Sequence, residues 1–224
     1  MGAAVAVILG AGSGERLGAS EPKAFLDLEG STLLERAVES ARRSRVVGGV
    51  LALVPSGFED RARRTLAETT VLAGGSSRQA SVLVALRAIG GDAGDVVLIH
   101  DAARPFASSS LFDSVAVAVE DAAGAVPVVP VADTVKRVSG DRVLETVPRD
   151  VLVLVQTPQA FRFGPLLEAD EKAVTEAKEF TDDAALVEWA GGAIRTVPGE
   201  RDNVKITTVE DLDLARSIAR TRSG

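Results

Sequence analysis

The sequence predicts an α/β protein built on a mostly parallel sheet, with helices on both faces and a protruding β-hairpin arm. Three observations carry this. Short runs rich in Val, Ile and Leu alternate with amphipathic stretches from end to end of the chain. The runs are continuous rather than alternating, as expected of strands buried on both sides. One stretch, residues 133–149, breaks the pattern with two roughly alternating runs around a Ser139-Gly140-Asp141-Arg142 turn, which suits a hairpin leaving the main body.

Taken in order, Val5–Leu9 reads as the first buried strand and runs into a glycine cluster. Thr32 and Glu35 form a capping box, and Leu33, Leu34, Ala37, Val38 and Ala41 then share one helical face. Val50–Val54 is a strand stopped by Pro55, and Glu59–Glu68 a polar helix. Val71–Ala73 is a short strand leading into a second glycine loop and a helix marked by Val82, Leu83, Ala85, Leu86 and Ile89. Val96–Ile99 is the next buried strand, followed by a helix capped by Ser110 and running to about Ala122. In Ala125–Val131 the prolines suit strand ends or a sheet edge. After the hairpin, Leu152–Val155 returns to the sheet and a helix spans about Pro165 to Ala177. Thr181 is the expected N-cap of a helix through Trp189. Ile194–Val197 is the last long strand, and Thr208 opens the final helix.

At 224 residues a single domain is expected, with a core that needs no staples. The chain has no cysteine, which excludes disulfides and thiolate metal sites. A net charge of −7 argues against general nucleic-acid binding and means that any cations serving an anionic ligand must be locally concentrated. No apolar run approaches the about 18 residues of a membrane span, and the N-terminus lacks a basic leader, so a cytoplasmic location and no membrane partner are expected.

Ligands of open α/β sheets sit at the carboxyl ends of the strands, which directs attention to the loops after Leu9, Ala73, Ile99 and Val155. The first reads Gly10-Ala11-Gly12-Ser13-Gly14-Glu15-Arg16, with Pro22-Lys23 beyond. Its backbone N–H groups can converge on phosphate oxygens, and two cations flank it. It is neither the dinucleotide fingerprint, which would need glycine at 15 or 17, nor a P-loop, since Ala19 follows Gly18. The other loops carry Gly74-Gly75-x-x-Arg78 with Ser81, His100-Asp101-Ala102-Ala103-Arg104-Pro105, and Gln156-Thr157-Pro158-Gln159. Asp133-Thr134-x-Lys136, Phe180-Thr181-Asp182-Asp183-Ala184 and Asp202-Asn203-x-Lys205-Ile206-Thr207 complete the set.

In this order, over nearly the whole chain, these motifs resemble those of the methylerythritol phosphate cytidylyltransferases, whose fold is Rossmann-like. The chain departs from the family in opening Leu9-Gly10-Ala11-Gly12, and in Ser76 where some members carry an acidic residue. The resemblance implies transfer of a cytidylyl group from CTP to 2-C-methyl-D-erythritol 4-phosphate, with release of pyrophosphate. Ribitol 5-phosphate is the alternative acceptor. Outside this chemistry, a nicotinamide-dependent oxidoreductase is opposed by both failed fingerprints. A nucleotide-binding regulator without turnover is opposed by Arg16, Lys23, Asp101 and Lys205 occurring together.

The attacking group in this reaction is a phosphate monoester, already ionised at neutral pH, so the chemistry asks for positioning and cations rather than a general base. By resemblance, Arg16 and Lys23 contact the triphosphate, while Arg149 and Lys205 place the sugar-alcohol phosphate. Asp101 is the expected ligand of a divalent cation, Mg²⁺. Ala11, Gly12, Gly14, Gly75, Ser81 and Ala102 are expected around the nucleotide. Arg104, Thr134, Thr157 and Thr181 are expected near the sugar phosphate or nucleotide. His100, the one histidine, reads as structural. The resemblance also implies a homodimer joined through the 133–149 arm, with Thr134 facing the partner's site. The chain ends soon after the last helix, so a fused cyclase domain, as in some relatives, is not expected.

Overall fold

The computed structural model describes residues 3–12, 14 and 21–223. Strand β1 (Ala4–Leu9) leads to a small antiparallel pair, β2 (Asp27–Leu28) and β3 (Ser31–Thr32), and then to helix α1 (Leu33–Arg42). Next come β4 (Val47–Val54), α2 (Glu59–Thr65), β5 (Thr70–Ala73), α3 (Arg78–Ile89), β6 (Val96–Asp101) and α4 (Ser109–Ala118). Strand β7 (Gly124–Pro130) precedes the hairpin of β8 (Val135–Ser139) and β9 (Arg142–Val147). Strands β10 (Val153–Val155) and β11 (Gln159–Arg162), helices α5 (Phe163–Thr175) and α6 (Asp183–Trp189), β12 (Ile194–Pro198) and α7 (Val209–Ser223) finish the chain.

The main sheet runs β10-β7-β11-β6-β1-β4-β5, with β12 pairing along β7. The β6-β1-β4-β5 half is parallel throughout, and β1 pairs with β4 and β6 over nearly its whole length. In β1 alternate residues face opposite layers. Ala4, Ala6 and Ile8 join a core with α1, α2 and α4, while Val7 joins one with α3, α5 and α6. Phe112 anchors the first core and Phe161 the second, both without solvent exposure. Helix α7 closes a third, smaller core over Leu28, Leu33 and Phe106. Both faces of the central strands β1, β4 and β6 are therefore covered, which is why they read as unbroken apolar runs.

Several local expectations need correction. Helix α4 is capped by Ser108, whose side chain accepts the Leu111 N–H, and not by Ser110; it also ends at Ala118, short of Ala122. Helix α6 is capped by Asp182, which accepts the Ala185 N–H, and not by Thr181. Helix α2 stops at Thr65. Strand β7 is not at an edge. It has β12 along it in parallel and, antiparallel to it, first β11 at Gly124–Ala125 and then β10 from Val128. Pro127 falls where one antiparallel partner gives way to the other, so the ladder there tolerates a residue with no N–H. Strand β11 has no counterpart in the expectations and lies antiparallel between β6 and β7.

The capping box at Thr32 and Glu35 forms with both hydrogen bonds in place. The hairpin is a separate two-stranded sheet with a register shift at Arg137/Val138 and a turn at Gly140, whose φ is +57°.

Candidate active site

Strands β1, β5 and β6 deliver their loops to one place. Leu9, at the end of β1, lies opposite Leu53 of β4 and Asp101 of β6. The Gly10 N–H donates to Leu53 O, the Ala102 N–H to Leu9 O and the Gly74 N–H to Val54 O, so each loop starts from a fixed backbone. A cleft of about 540 Å³ opens over these ends, lined among others by Gly12, Lys23, Gly75, Arg78, Asp101 and Lys205.

Glycines let the loops pack this closely. A Cβ on Gly74 would lie 2.3 Å from the Ala11 Cβ, and one on Gly75 would lie 2.8 Å from the Ala80 carbonyl carbon. Ser81 braces the same turn: its hydroxyl accepts the Gly75 N–H at 3.0 Å and donates to Ser77 O at 2.8 Å. Gly14 adopts φ +71° with its Cα packed on Lys23, where a Cβ would stand 2.8 Å from the lysine Cβ.

Charge in the cleft is concentrated on Asp101. Lys205 Nζ is 2.7 Å from its Oδ2 and Arg78 Nε 3.4 Å from its Oδ1. Burial alone would push this carboxyl up, but the Arg78 guanidinium, and after it Lys205, hold it well below the usual carboxylate range. On its far side Arg78 pairs with Asp183, Nη2 to Oδ2 at 2.8 Å. Burial disfavours the Arg78 charge, yet the two carboxylates outweigh it and raise its pKa. Asp183 is pushed up by its own burial in spite of Arg78. Lys23, on a short 3₁₀ turn after Pro22, donates to Ile206 O at 3.0 Å, beside Lys205.

Lys205 stands on a loop that is itself locked down. Asn203, with no solvent exposure, donates to Thr157 O at 2.9 Å and to Gln156 Oε1 at 3.3 Å. Gln156 in turn accepts the Glu200 N–H and donates to Glu200 O. Glu200 accepts the Ser108 N–H at the start of α4. Arg104 donates to Asn203 O at 2.8 Å and to Val155 O at 3.3 Å, tying three loops together. Beneath Asp101, the buried Thr157 hydroxyl accepts the Asp101 N–H at 3.1 Å and bonds His100 Nδ1 at 3.0 Å. His100 Nε2 bonds Arg104 O, and burial pushes the ring down to about 4, so it stays neutral within the framework.

Among the sequence-predicted residues, Lys23, Lys205, Asp101, Ala11, Gly12, Gly75, Ser81 and Ala102 meet at the cleft, with Gly14 against Lys23. Arg16 lies outside the described residues. Arg104 and Thr157 support the floor through the bonds above. Thr134, Arg149 and Thr181 are exposed and do not line this cleft; Arg149 donates to Ala132 O at the base of the hairpin. Arg78 stands in a sequence motif that by itself assigns it no role, and the parts played by Gly74, Asp183 and Asn203 emerge only from the packed structure. The Gly74-Gly75 pair and the acid pair Asp182-Asp183 were the visible signals.

An anion-ready glycine backbone, a carboxylate held by Arg78 and Lys205, and Lys23 in the same cleft, at the carboxyl ends of parallel strands, define a nucleotide-dependent transferase of the α/β class. The family model for 2-C-methyl-D-erythritol 4-phosphate cytidylyltransferase matches residues 4–221. A protein of that name from Frankia casuarinae is 47% identical over 216 residues, covering 95% of this chain and 80% of its own. One from Geobacter metallireducens is 41% identical, covering 98% and 99%. The crystal structure of the Thermus thermophilus enzyme superposes with a TM-score of 0.80 at 38% identity, covering 96% of this chain and 98% of that one. The chain belongs to the 2-C-methyl-D-erythritol 4-phosphate cytidylyltransferase family, and is thus a nucleotidyltransferase.

Proposed function

We propose that this chain transfers the cytidylyl group of CTP to 2-C-methyl-D-erythritol 4-phosphate, giving 4-diphosphocytidyl-2-C-methyl-D-erythritol and pyrophosphate for isoprenoid precursor synthesis. The observation that carries the reading is the gathering of Lys23, Arg78, Lys205 and Asp101 in one glycine-walled cleft, with Arg78 and Lys205 paired to Asp101. A phosphate monoester oxygen attacks the α-phosphorus, the bond to the β-phosphate oxygen breaks, and the electron pair leaves with pyrophosphate. An anion must approach a polyanion, so the work of the protein is to position both and to stabilise the charge that builds on the leaving group. Lys23, with Arg16, is assigned to the triphosphate and Lys205 to the acceptor phosphate. The backbone of Ala11, Gly12, Gly14, Gly75 and Ala102 is assigned to the nucleotide, with Ser81 shaping the turn at Gly75. Arg104 and Thr157 hold the loops beneath.

Asp101 offers hard carboxylate oxygens on the cleft wall, which fits Mg²⁺ shared between one carboxylate and substrate phosphates. Among the described residues no group of three or more His, Cys, Asp or Glu could hold a metal without such help. Bound there, the ion would supply neutralisation of phosphate charge.

We take residues 1–224 as one nucleotidyltransferase domain and 133–149 as the arm of a homodimer. The hairpin exposes Val138, Val143 and Leu144, and the neighbouring strand exposes Val153, Leu154 and Val155. Such a run of apolar surface suits burial against a second copy. Thr134 and Arg149, at the arm's base, would then serve the partner's cleft, and Thr181 the acceptor side of its own. No helix among the described residues is long and apolar enough to cross a membrane. The reading places the enzyme in the cytoplasm, with CTP.

The test is pyrophosphate release with Mg²⁺ and CTP, with methylerythritol 4-phosphate and ribitol 5-phosphate assayed side by side. Release with the first acceptor alone is expected. Release with the second alone would overturn the assignment of acceptor, and release with neither would overturn the activity.

A further inference from the structure

Asp183 is the one member of the charged chain that does not line the cleft. It sits in the first turn of α6 and is 2% exposed. Its contact with the reaction site is Arg78, whose Nη2 stands 2.8 Å from Asp183 Oδ2 while Nε stands 3.4 Å from Asp101 Oδ1. The charges alternate along Asp183, Arg78, Asp101 and Lys205. The guanidinium is planar and rigid, so its ion pair with Asp183 at Nη2 and its Nε–H hydrogen bond to Asp101 Oδ1 move together. The shorter contact is on the Asp183 side. The cation is thus shared between Asp183 and Asp101, whose other oxygen stays on Lys205 at 2.7 Å.

Two further features back the arrangement. Asp182, the adjacent residue, caps α6 and fixes the helix end that carries Asp183. Behind Asp183 the fully buried Asp170 is pushed up to about 7, first by its burial and then by Asp183, so below that pH it is neutral and leaves Asp183 as the carboxylate facing Arg78.

We propose that Asp183 is a positioning residue for the transfer reaction: acting through Arg78, it sets where the Asp101 carboxylate stands relative to Lys205. The proposal rests on the reading of the cleft as the cytidylyl-transfer site. Without the carboxylate at 183, the whole charge of Arg78 falls on Asp101, which is pulled from Lys205, and the constellation is misplaced while the glycine walls are untouched. A misplacement of about 1 Å costs up to about 100-fold in rate.

The test is a double-mutant cycle on the full chain with Asp183→Asn, Arg78→Met and the pair, reading kcat, KM for CTP and acceptor, calorimetric CTP affinity and melting temperature. Asp183→Asn is expected to lower kcat about 10- to 100-fold, with CTP affinity within about 3-fold of the parent and Asp183→Glu recovering part of the loss. In the Arg78→Met background Asp183→Asn should add less than about 3-fold. Multiplied effects in the pair, or an unchanged kcat for a folded Asp183→Asn, would overturn the proposal. Should Arg78→Met not fold, Arg78→Lys takes its place in the cycle under the same criteria. An inactive parent would overturn the activity reading instead, and the two failures are told apart by that control.

Discussion

Gly74 stands where Ala11 leaves no room for a side chain: a Cβ at Gly74 would lie 2.3 Å from the Ala11 Cβ. The two glycine loops thus hold each other at backbone distance, on the side of the cleft proposed for the nucleotide. Gly74→Ala must push the loops apart. We expect a loss of about 1–3 kcal/mol in stability, typical of overpacking, together with a rise in KM for CTP. Chemical denaturation and steady-state kinetics measure both. A variant with the parent's KM would mean that the loops do not set the cleft width.

Lys23 and Lys205 face the cleft from different ends of the sequence, Lys23 bonded to Ile206 O, next to Lys205, and Lys205 paired with Asp101. Lys23→Ala and Lys205→Ala should each lower turnover by about 100- to 1,000-fold, the usual scale for removing one stabiliser of developing charge. Folding should be retained, because both side chains lie at the cleft and not in the core. Circular dichroism and pyrophosphate release test this, and near-parental turnover in both variants would dismiss the proposed charge stabilisation.

Asp170 gives a pH dependence of stability. Its carboxyl is pushed from an ordinary 3.8 up to about 7, first by burial and then by Asp183. Between those values the folded protein holds a proton that the unfolded chain has released, so the contribution of this group falls as pH rises from about 4 to 7 and is flat above. Asp170→Asn should therefore melt higher than the parent at pH 8, by on the order of 2–4 kcal/mol in stability, with the gain shrinking toward pH 4. Melting curves across this range decide it; a gain that does not vary with pH would point to packing instead.

The hairpin supplies a prediction about assembly. Val143→Asp and Leu144→Asp place charge on its exposed apolar residues. If the arms join two copies, sedimentation velocity should show a shift toward monomer, and activity should fall because Thr134 and Arg149 lose the partner's cleft. A parental sedimentation profile would rule out the arm as the contact.

How much of this was legible beforehand varies with the kind of signal. Strands such as Val96–Ile99 announce themselves because burial on both faces requires unbroken apolar runs. The cap at Thr32 was legible because Glu35 supplies its reciprocal partner. The caps of α4 and α6 were misplaced because Ser108, Ser109 and Ser110, and likewise Thr181 and Asp182, are adjacent residues of equal chemical fitness; tertiary geometry selects among them. Strand β11 was invisible because four residues beginning with Gln159 carry too little pattern. The glycine loops, Lys23, Asp101 and Lys205 could be picked out by type and place. The pairing of Arg78 with Asp183 could not, because it joins the first residues of two helices, α3 and α6, far apart in the chain and leaves no periodic trace.

The insertion of Gln159–Arg162 between Val96–Asp101 and Gly124–Pro130 also dictates an order of assembly. The four parallel strands from the N-terminal half can pair as soon as Asp101 has been made. The outer edge of Val96–Asp101 has no mate in that half, since Gly124–Pro130, though next in line, never pairs with it. A nascent chain halted before Gln159 therefore carries a bare, apolar sheet edge, the kind that recruits neighbouring chains. Four residues late in the sequence serve as the seal, and the hydrogen-bonded floor that precedes them, from Gln156 onward, is finished only as the seal closes.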